Sequence, residues 1–141
     1  MKNRAGFSLI ELMIVTVIVA ILSTLALPAY VDFVRESRRS DAAISLMELA
    51  AAAERYYADN RNFSGVTPAA LLGRSLSDDG HYTLAITVSE DGQRYSATAT
   101  PVSEGSQAHD RCYRYMLDSA GQRGNESRSG VAISATSCWP E

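Results

Sequence analysis

Few residues in this chain of 141 combine a reactive side chain with an informative spacing. One is Glu11, a carboxylate set inside the apolar run FSLIELMIVTVIVAILSTLAL, residues 7–27. A carboxylate held near the centre of a bilayer costs roughly 2 to 4 kcal/mol, and less toward the edge, so an acid in such a run is a functional suspect in need of a cation. No Lys or Arg lies within residues 7–27 to supply one. The second pair of interest is Cys112 and Cys138. Without a CxxC spacing or nearby histidines they make a poor metal site. A disulfide is the more natural use, closing a loop of about 25 residues for a gain on the order of 3 kcal/mol in an oxidising compartment. His81 and His109 have no partner at a catalytic or metal-binding spacing and read as solvated histidines. The adjacent carboxylates of Asp78 and Asp79 before Gly80 read as a solvated turn rather than a calcium site. With no nucleophile constellation and no phosphate-binding loop, the expectation is a non-enzyme with no cofactor and no metal.

The element that must carry Glu11 is a helix. Its 21 residues span about 31 Å, close to the hydrocarbon thickness of a bilayer. A cleaved secretory signal fits poorly, because the run overshoots a signal's apolar core, contains an acid and ends in a mediocre cleavage sequence, STLALPAY. A plain single-pass anchor fits the length and leaves Glu11 unexplained. Its orientation is ambiguous by charge, since Lys2 and Arg4 on one side face Arg35, Arg38 and Arg39 on the other; the expected disulfide favours the C-terminal side being outside. The remainder is the size of one small domain. The chain carries a net charge of -3, and no overall basic field invites nucleic acid. Arg111, Arg114, Arg123 and Arg128 do gather in the C-terminal third. With Asp110, Asp118 and Glu126 interspersed, the expectation is a solvated mixed face, not a nucleic-acid partner.

A third reading accounts for the acid. The stretch GFSLIELMIV resembles the processing site of type IV prepilins: a short basic leader ending in Gly6, then Phe7, then Glu11 at the fifth position after the cut. The resemblance implies a prepilin peptidase that cleaves between Gly6 and Phe7 and methylates Phe7. Such a cut would create an α-amino group whose pKa near 8 leaves it largely cationic at neutral pH, whether or not it is methylated. That amine is the missing cation. Phe7 of one subunit would pair with Glu11 of a neighbour and set axial register.

Further along, Pro28 ends the apolar run, and a helix continuing through it should kink, with Ser23 and Thr24 available to the freed backbone groups. Ala42, Leu46, Leu49, Ala53 and Tyr56 then recur at helical spacing, so one helix is expected to about residue 59. PAALLG can form a short helical turn. From residue 81 the period becomes two. Tyr82, Leu84, Ile86 and Val88 share one strand face, Tyr95, Ala97 and Ala99 another, with Asp91-Gly92 as a hairpin signal between them. Further strands are expected at residues 112–117 and 131–135, making three or four antiparallel strands whose apolar face packs on the helix stripe.

The whole chain is thus similar to type IV pilins. ERYYADN, TATP, LDSAGQRG and the closing CW most resemble the PilE-type minor pilins of type IVa pili. The resemblance implies an α+β pilin fold: a leader (1–6), a membrane-spanning and filament-core helix (7–28), its amphipathic half (29–60), and a globular head with antiparallel sheet and terminal disulfide loop (61–141). It implies a structural subunit supporting pilus biogenesis, twitching motility and adhesion. Its partners would be other major and minor pilins, the prepilin peptidase, the inner-membrane assembly machinery and, before assembly, the membrane itself; its final place would be the pilus at the cell surface. A pseudopilin of a type II secretion system shares the N-terminal motif, but the disulfide in place of an acidic calcium loop favours the pilus. A membrane-anchored receptor or DNA-binding pilin is the other alternative. One departure is Ala20, where many pilins carry Gly, which bears on any local melting of the helix during assembly.

Overall fold

The computed structural model describes residues 7–140 and divides the chain into two compact units, residues 1–34 and 35–141. A first helix, α1 (Leu9–Asn60), contributes to both. In the first unit its large apolar side chains from Leu9 to Leu27 lie on the surface, as a segment free of internal apolar partners must. Its hydroxyls are satisfied within the helix: Thr16 donates to the carbonyl of Met13, Ser23 to that of Val19 and Thr24 to that of Ile21. Pro28 lies inside α1 without ending it. The carbonyl that Pro28 deprives of a donor belongs to Thr24, so the expected relief by Ser23 and Thr24 is not what their hydroxyls provide; both reach back toward earlier turns.

In the second unit, residues 35–60 of α1 carry the buried stripe. Ala42, Leu46, Leu49 and Ala53 are fully buried as their spacing predicts, and Tyr56 is half-buried at the rim. They face an antiparallel sheet of five strands in the order β1 (Tyr82–Val88), β2 (Tyr95–Pro101), β3 (Arg114–Asp118), β4 (Arg123–Glu126) and β5 (Ala132–Ile133), each paired with its neighbour in sequence. Alternation puts Tyr82, Leu84, Tyr95, Ala97, Ala99, Tyr115 and Leu117 inward. The small inward residues of β2 leave room for their larger neighbours, Leu84 and Tyr115 both standing opposite Ala99. Around this core the aromatic rings meet edge to face: Tyr82 and Tyr115 at 5.8 Å, Tyr115 and Trp139 at 5.7 Å, Phe63 and Tyr95 at 4.9 Å. Truncating Leu46 or Leu49 to Ala would cost about 2–5 kcal/mol, the range for a buried leucine.

PAALLG forms the short helix α2 (Pro68–Leu72), whose first turn is capped by the Thr67 hydroxyl and whose end is closed by Gly73 in the left-handed conformation. The Asp91-Gly92 signal marks the β1–β2 connection, with Gly92 at φ +68°. Two expectations need correction. The strand placed at residues 131–135 shrinks to Ala132–Ile133 and gives way to a 3-10 turn at Ala135–Ser137, and β4 was not foreseen at all. Its sequence, RGNE, has no apolar alternation, because the residue pointing inward is Asn125, buried opposite Tyr115 and donating from Nδ2 to the carbonyl of Arg114.

Candidate functional site

Two regions could act on other molecules: the N-terminal segment of α1 and the surface closed by the disulfide. Gly6 lies outside the described residues. Phe7 is 84% exposed, and Glu11 stands in the first turn of α1. The helix starts at Leu9, with the carbonyl of Ser8 accepting from Leu12 N at 3.2 Å. Ser8 and Glu11 therefore hold the first and fourth places of an S-x-x-E capping sequence. An acid there stands beside the unpaired backbone N–H groups of the first turn, at the positive end of the helix dipole. Sequence reasoning sought only an intermolecular cation for Glu11; the S-x-x-E spacing was the signal for this local support.

Cys112 and Cys138 form the expected disulfide, with S–S 2.03 Å and Cα atoms 5.7 Å apart, and both cysteines are buried. The bridge ties the start of β3 to the C-terminal segment, where the Tyr115 hydroxyl donates to the carbonyl of Cys138 and Trp139 Nε1 donates to that of Gly124. The four C-terminal arginines do different things. Arg114 pairs with Glu126 across β3 and β4 at 3.1 Å, and the Arg123 guanidinium lies over the Trp139 ring at 5.1 Å. Arg111 and Arg128 border an open cleft of about 580 Å³ with Asp110, Ser127, Ser129 and Ile133. His81 begins at the edge of β1 and His109 is exposed at the end of a 3-10 turn (Ser106–His109), so the two are not brought into a common site with the cysteines. Among the described residues no group of three or more His, Cys, Asp or Glu side chains is placed to hold a metal.

The polar stretch RESRR fastens the β2–β3 connection to α1. Arg39 makes a two-pronged pair with Asp110, at 2.8 and 2.7 Å, with side-chain exposures of only 11% and 3%. That pairing holds the guanidinium above its ordinary pKa. Arg35 Nε donates to the carbonyl of Ser106 at 3.3 Å, and Arg38 donates to the Ser106 hydroxyl. Gln107 Nε2 donates both to the carbonyl of Arg35 and to the hydroxyl of Tyr82. Burial pushes the Tyr82 phenol up to about 12, opposed in part by that bond. Nearby, buried Asp41 accepts from the Ser77 hydroxyl at 2.6 Å and from Asp79 N, so the Asp78-Asp79 turn is an anchored turn with exposed carboxylates.

Residues 1–27 match the model of the prokaryotic N-terminal methylation motif, and residues 28–116 match the family model described as type IV minor pilin ComP, DNA uptake sequence receptor. The chain belongs to the type IV pilin family. It is similar to the fimbrial protein EcpC of Eikenella corrodens, 41% identical over 104 residues that cover 72% of this chain and 65% of that one. It is similar also to fimbrial protein Q of Moraxella bovis, 32% identical over 133 residues covering 94% and 79%. With the major pilin PilE1 of Neisseria gonorrhoeae it shares 36% identity over 85 residues, 60% of this chain and 40% of that one. Among the first of these relatives, then, the match with this pilin spans 65% or less of their length. The solved structure of a type IV pilin from Shewanella oneidensis superposes with a TM-score of 0.55 at 27% identity, over 76% of this chain and 99% of that one. The relatives are structural pilins, and the disulfide-closed sheet with a long N-terminal helix is the pilin fold.

Proposed function

We propose that this pilin waits in a bacterial inner membrane on residues 7–28 with residues 29–141 outside. A prepilin peptidase cuts it after Gly6 and methylates Phe7, and the mature chain enters a type IV pilus as a minor subunit. The observation that carries this reading is the methylation-motif match over residues 1–27, of which residues 9–27 lie on a helix whose apolar side chains have no partner within their own unit. Cleavage converts the amide nitrogen of Phe7 into a cationic amine, and the Glu11 carboxylate of an adjacent subunit is its complement. Two groups costly in an apolar filament core become less so together, and their pairing fixes the axial step between subunits. The disulfide holds the head's terminal segment during exposure outside the cell. The minor assignment rests on the description of the matching family model; pilus biogenesis, twitching motility and adhesion are the roles expected of it. Mass spectrometry of the mature N-terminus is the test: methylated Phe7 is expected, and an intact Met1 or a terminus near Ala29 would overturn the reading. Subunit stoichiometry in sheared filaments checks the minor assignment, since an amount comparable with the shaft subunit contradicts it.

A DNA-receptor role is the second reading. The matching model's description includes a DNA uptake sequence receptor, and Arg111 and Arg128 line an open cleft beside the hydroxyl-bearing turn at Ser127 and Ser129. If both arginines meet phosphates, their removal should lower the salt slope of duplex binding by about 2. A gel shift with residues 29–141 that shows no salt-sensitive binding would dispose of the role.

A further inference from the structure

The apolar stretch does not stop where its composition first changes. From Leu12 to Val31 there is no carboxylate, ammonium or guanidinium, so Glu11 and Asp32 bracket 20 consecutive uncharged residues. As a helix that stretch rises about 30 Å, the thickness of a bilayer's hydrocarbon core. Just at its C-terminal limit stand Tyr30 and Phe33, three residues apart on one helix face and 67% and 70% exposed. Aromatic rings concentrate at the boundary between headgroups and acyl chains, where a large apolar body meets a wet edge, and the tyrosine hydroxyl adds a polar handle.

We propose that Tyr30 and Phe33 are an interfacial anchor that seats in the lipid headgroup region at the C-terminal end of the span and sets the depth of the whole helix before assembly. The inference rests on the membrane stage proposed above and adds a depth scale to it. With Tyr30 at one boundary, Glu11 lies 19 residues, or about 28 Å, along the helix and so reaches the opposite boundary, not the interior. There a carboxylate costs much less than at the centre, which removes most of the penalty that the acid first posed. Phe7 lies four residues further out, before the helix begins at Leu9, which puts its amide nitrogen on the water side of that boundary, where water can take part in cutting the peptide bond that precedes it. The aromatic pair thereby holds the processing site and the acid in reach of one surface while the chain waits.

The test uses the full, unprocessed chain in vesicles of phosphatidylethanolamine and phosphatidylglycerol, with bromine at shallow or deep acyl carbons as the quencher. Single tryptophans are introduced by Ile10→Trp, Val19→Trp, Tyr30→Trp and Phe33→Trp, with the signal of buried Trp139 in the parent chain subtracted. Tryptophan at 10, 30 and 33 should be quenched at least about twofold more by shallow than by deep bromine, and at 19 the order should reverse. Quenching at 30 and 33 by aqueous acrylamide with no response to either lipid would overturn the anchor, as would stronger quenching by deep bromine at 10 or 30. If position 19 also fails to respond to deep bromine, the membrane stage itself is wrong; if position 19 responds and 30 does not, the anchor alone fails.

Discussion

The Arg39–Asp110 pair is the sharpest place to perturb the head. Both side chains are largely withdrawn from water and both carboxylate oxygens are taken by the guanidinium. Asp110→Ala leaves a buried guanidinium without its anion, and breaking a buried pair in this way costs about 3–5 kcal/mol. Much of that figure is the penalty of the stranded charge. Arg39→Met, which keeps most of the apolar stem, strands the carboxylate and should cost a similar amount. The double variant strands neither, so its loss should be smaller than the sum of the singles by 2 kcal/mol or more, about the coupling seen for groups in one network. Urea unfolding of residues 29–141, followed by tyrosine and tryptophan fluorescence at constant slope, measures all four corners of the cycle. Single losses below about 1 kcal/mol that simply add would show that the pair behaves like an exposed surface bridge, and the clamp argument would be refuted.

Glu11→Gln and Glu11→Ala separate the two roles of the acid. Gln keeps the S-x-x-E/Q spacing from Ser8 and loses the charge, so both variants should be processed, yet both should be scarce in sheared filaments; normal incorporation of Glu11→Gln would mean that the charge is dispensable. Replacing Cys112 and Cys138 together by Ser frees a loop of 26-residue separation and should lower stability by about 3.5 kcal/mol on the chain-entropy account, measurable by denaturant midpoint under oxidising conditions. Burial holds the phenols of Tyr82 and Tyr95 at about 12 against an ordinary value of 10. Their contribution is whole below pH 10 and is lost between pH 10 and 12, as the unfolded chain ionises first; Tyr95→Phe should move the alkaline unfolding midpoint upward.

Where periodicity is clean, the fold could be read before it was seen. Ala42, Leu46, Leu49 and Ala53 lie under the sheet because a spacing of four and three residues leaves a helix no other face to bury. The β1–β2 hairpin followed equally from its alternation and from Asp91-Gly92. What escaped was polar. Asp41 and Ser45 belong to the same buried face and interrupt its apolar pattern, because they receive hydrogen bonds from the turn at residues 77–79 that sequence spacing does not reveal. β4 was missed because Asn125 takes an inward position usually held by an aliphatic residue. Nothing in the spacing of Arg35, Arg38 and Arg39 points to the acceptors that hold them, because Ser106 and Asp110 are about 70 residues distant. At the N-terminus, Glu11 stood out by its misplaced charge, whereas Tyr30 and Phe33 passed unnoticed because an aromatic at the end of an apolar run breaks no pattern.

The sheet is a simple meander in which each strand pairs with the next, while α1 precedes every strand that covers its stripe. During vectorial synthesis this order has a temporal cost. Leu46 and Leu49 emerge first and must wait for Tyr115 and Leu117, a delay of several seconds at about 5–20 residues per second. For that interval the nascent helix exposes a greasy stripe with no strand to cover it. A chaperone or the translocation channel would have its chief task there, and slowing synthesis between residues 60 and 118 should increase misassembly more than slowing it afterwards.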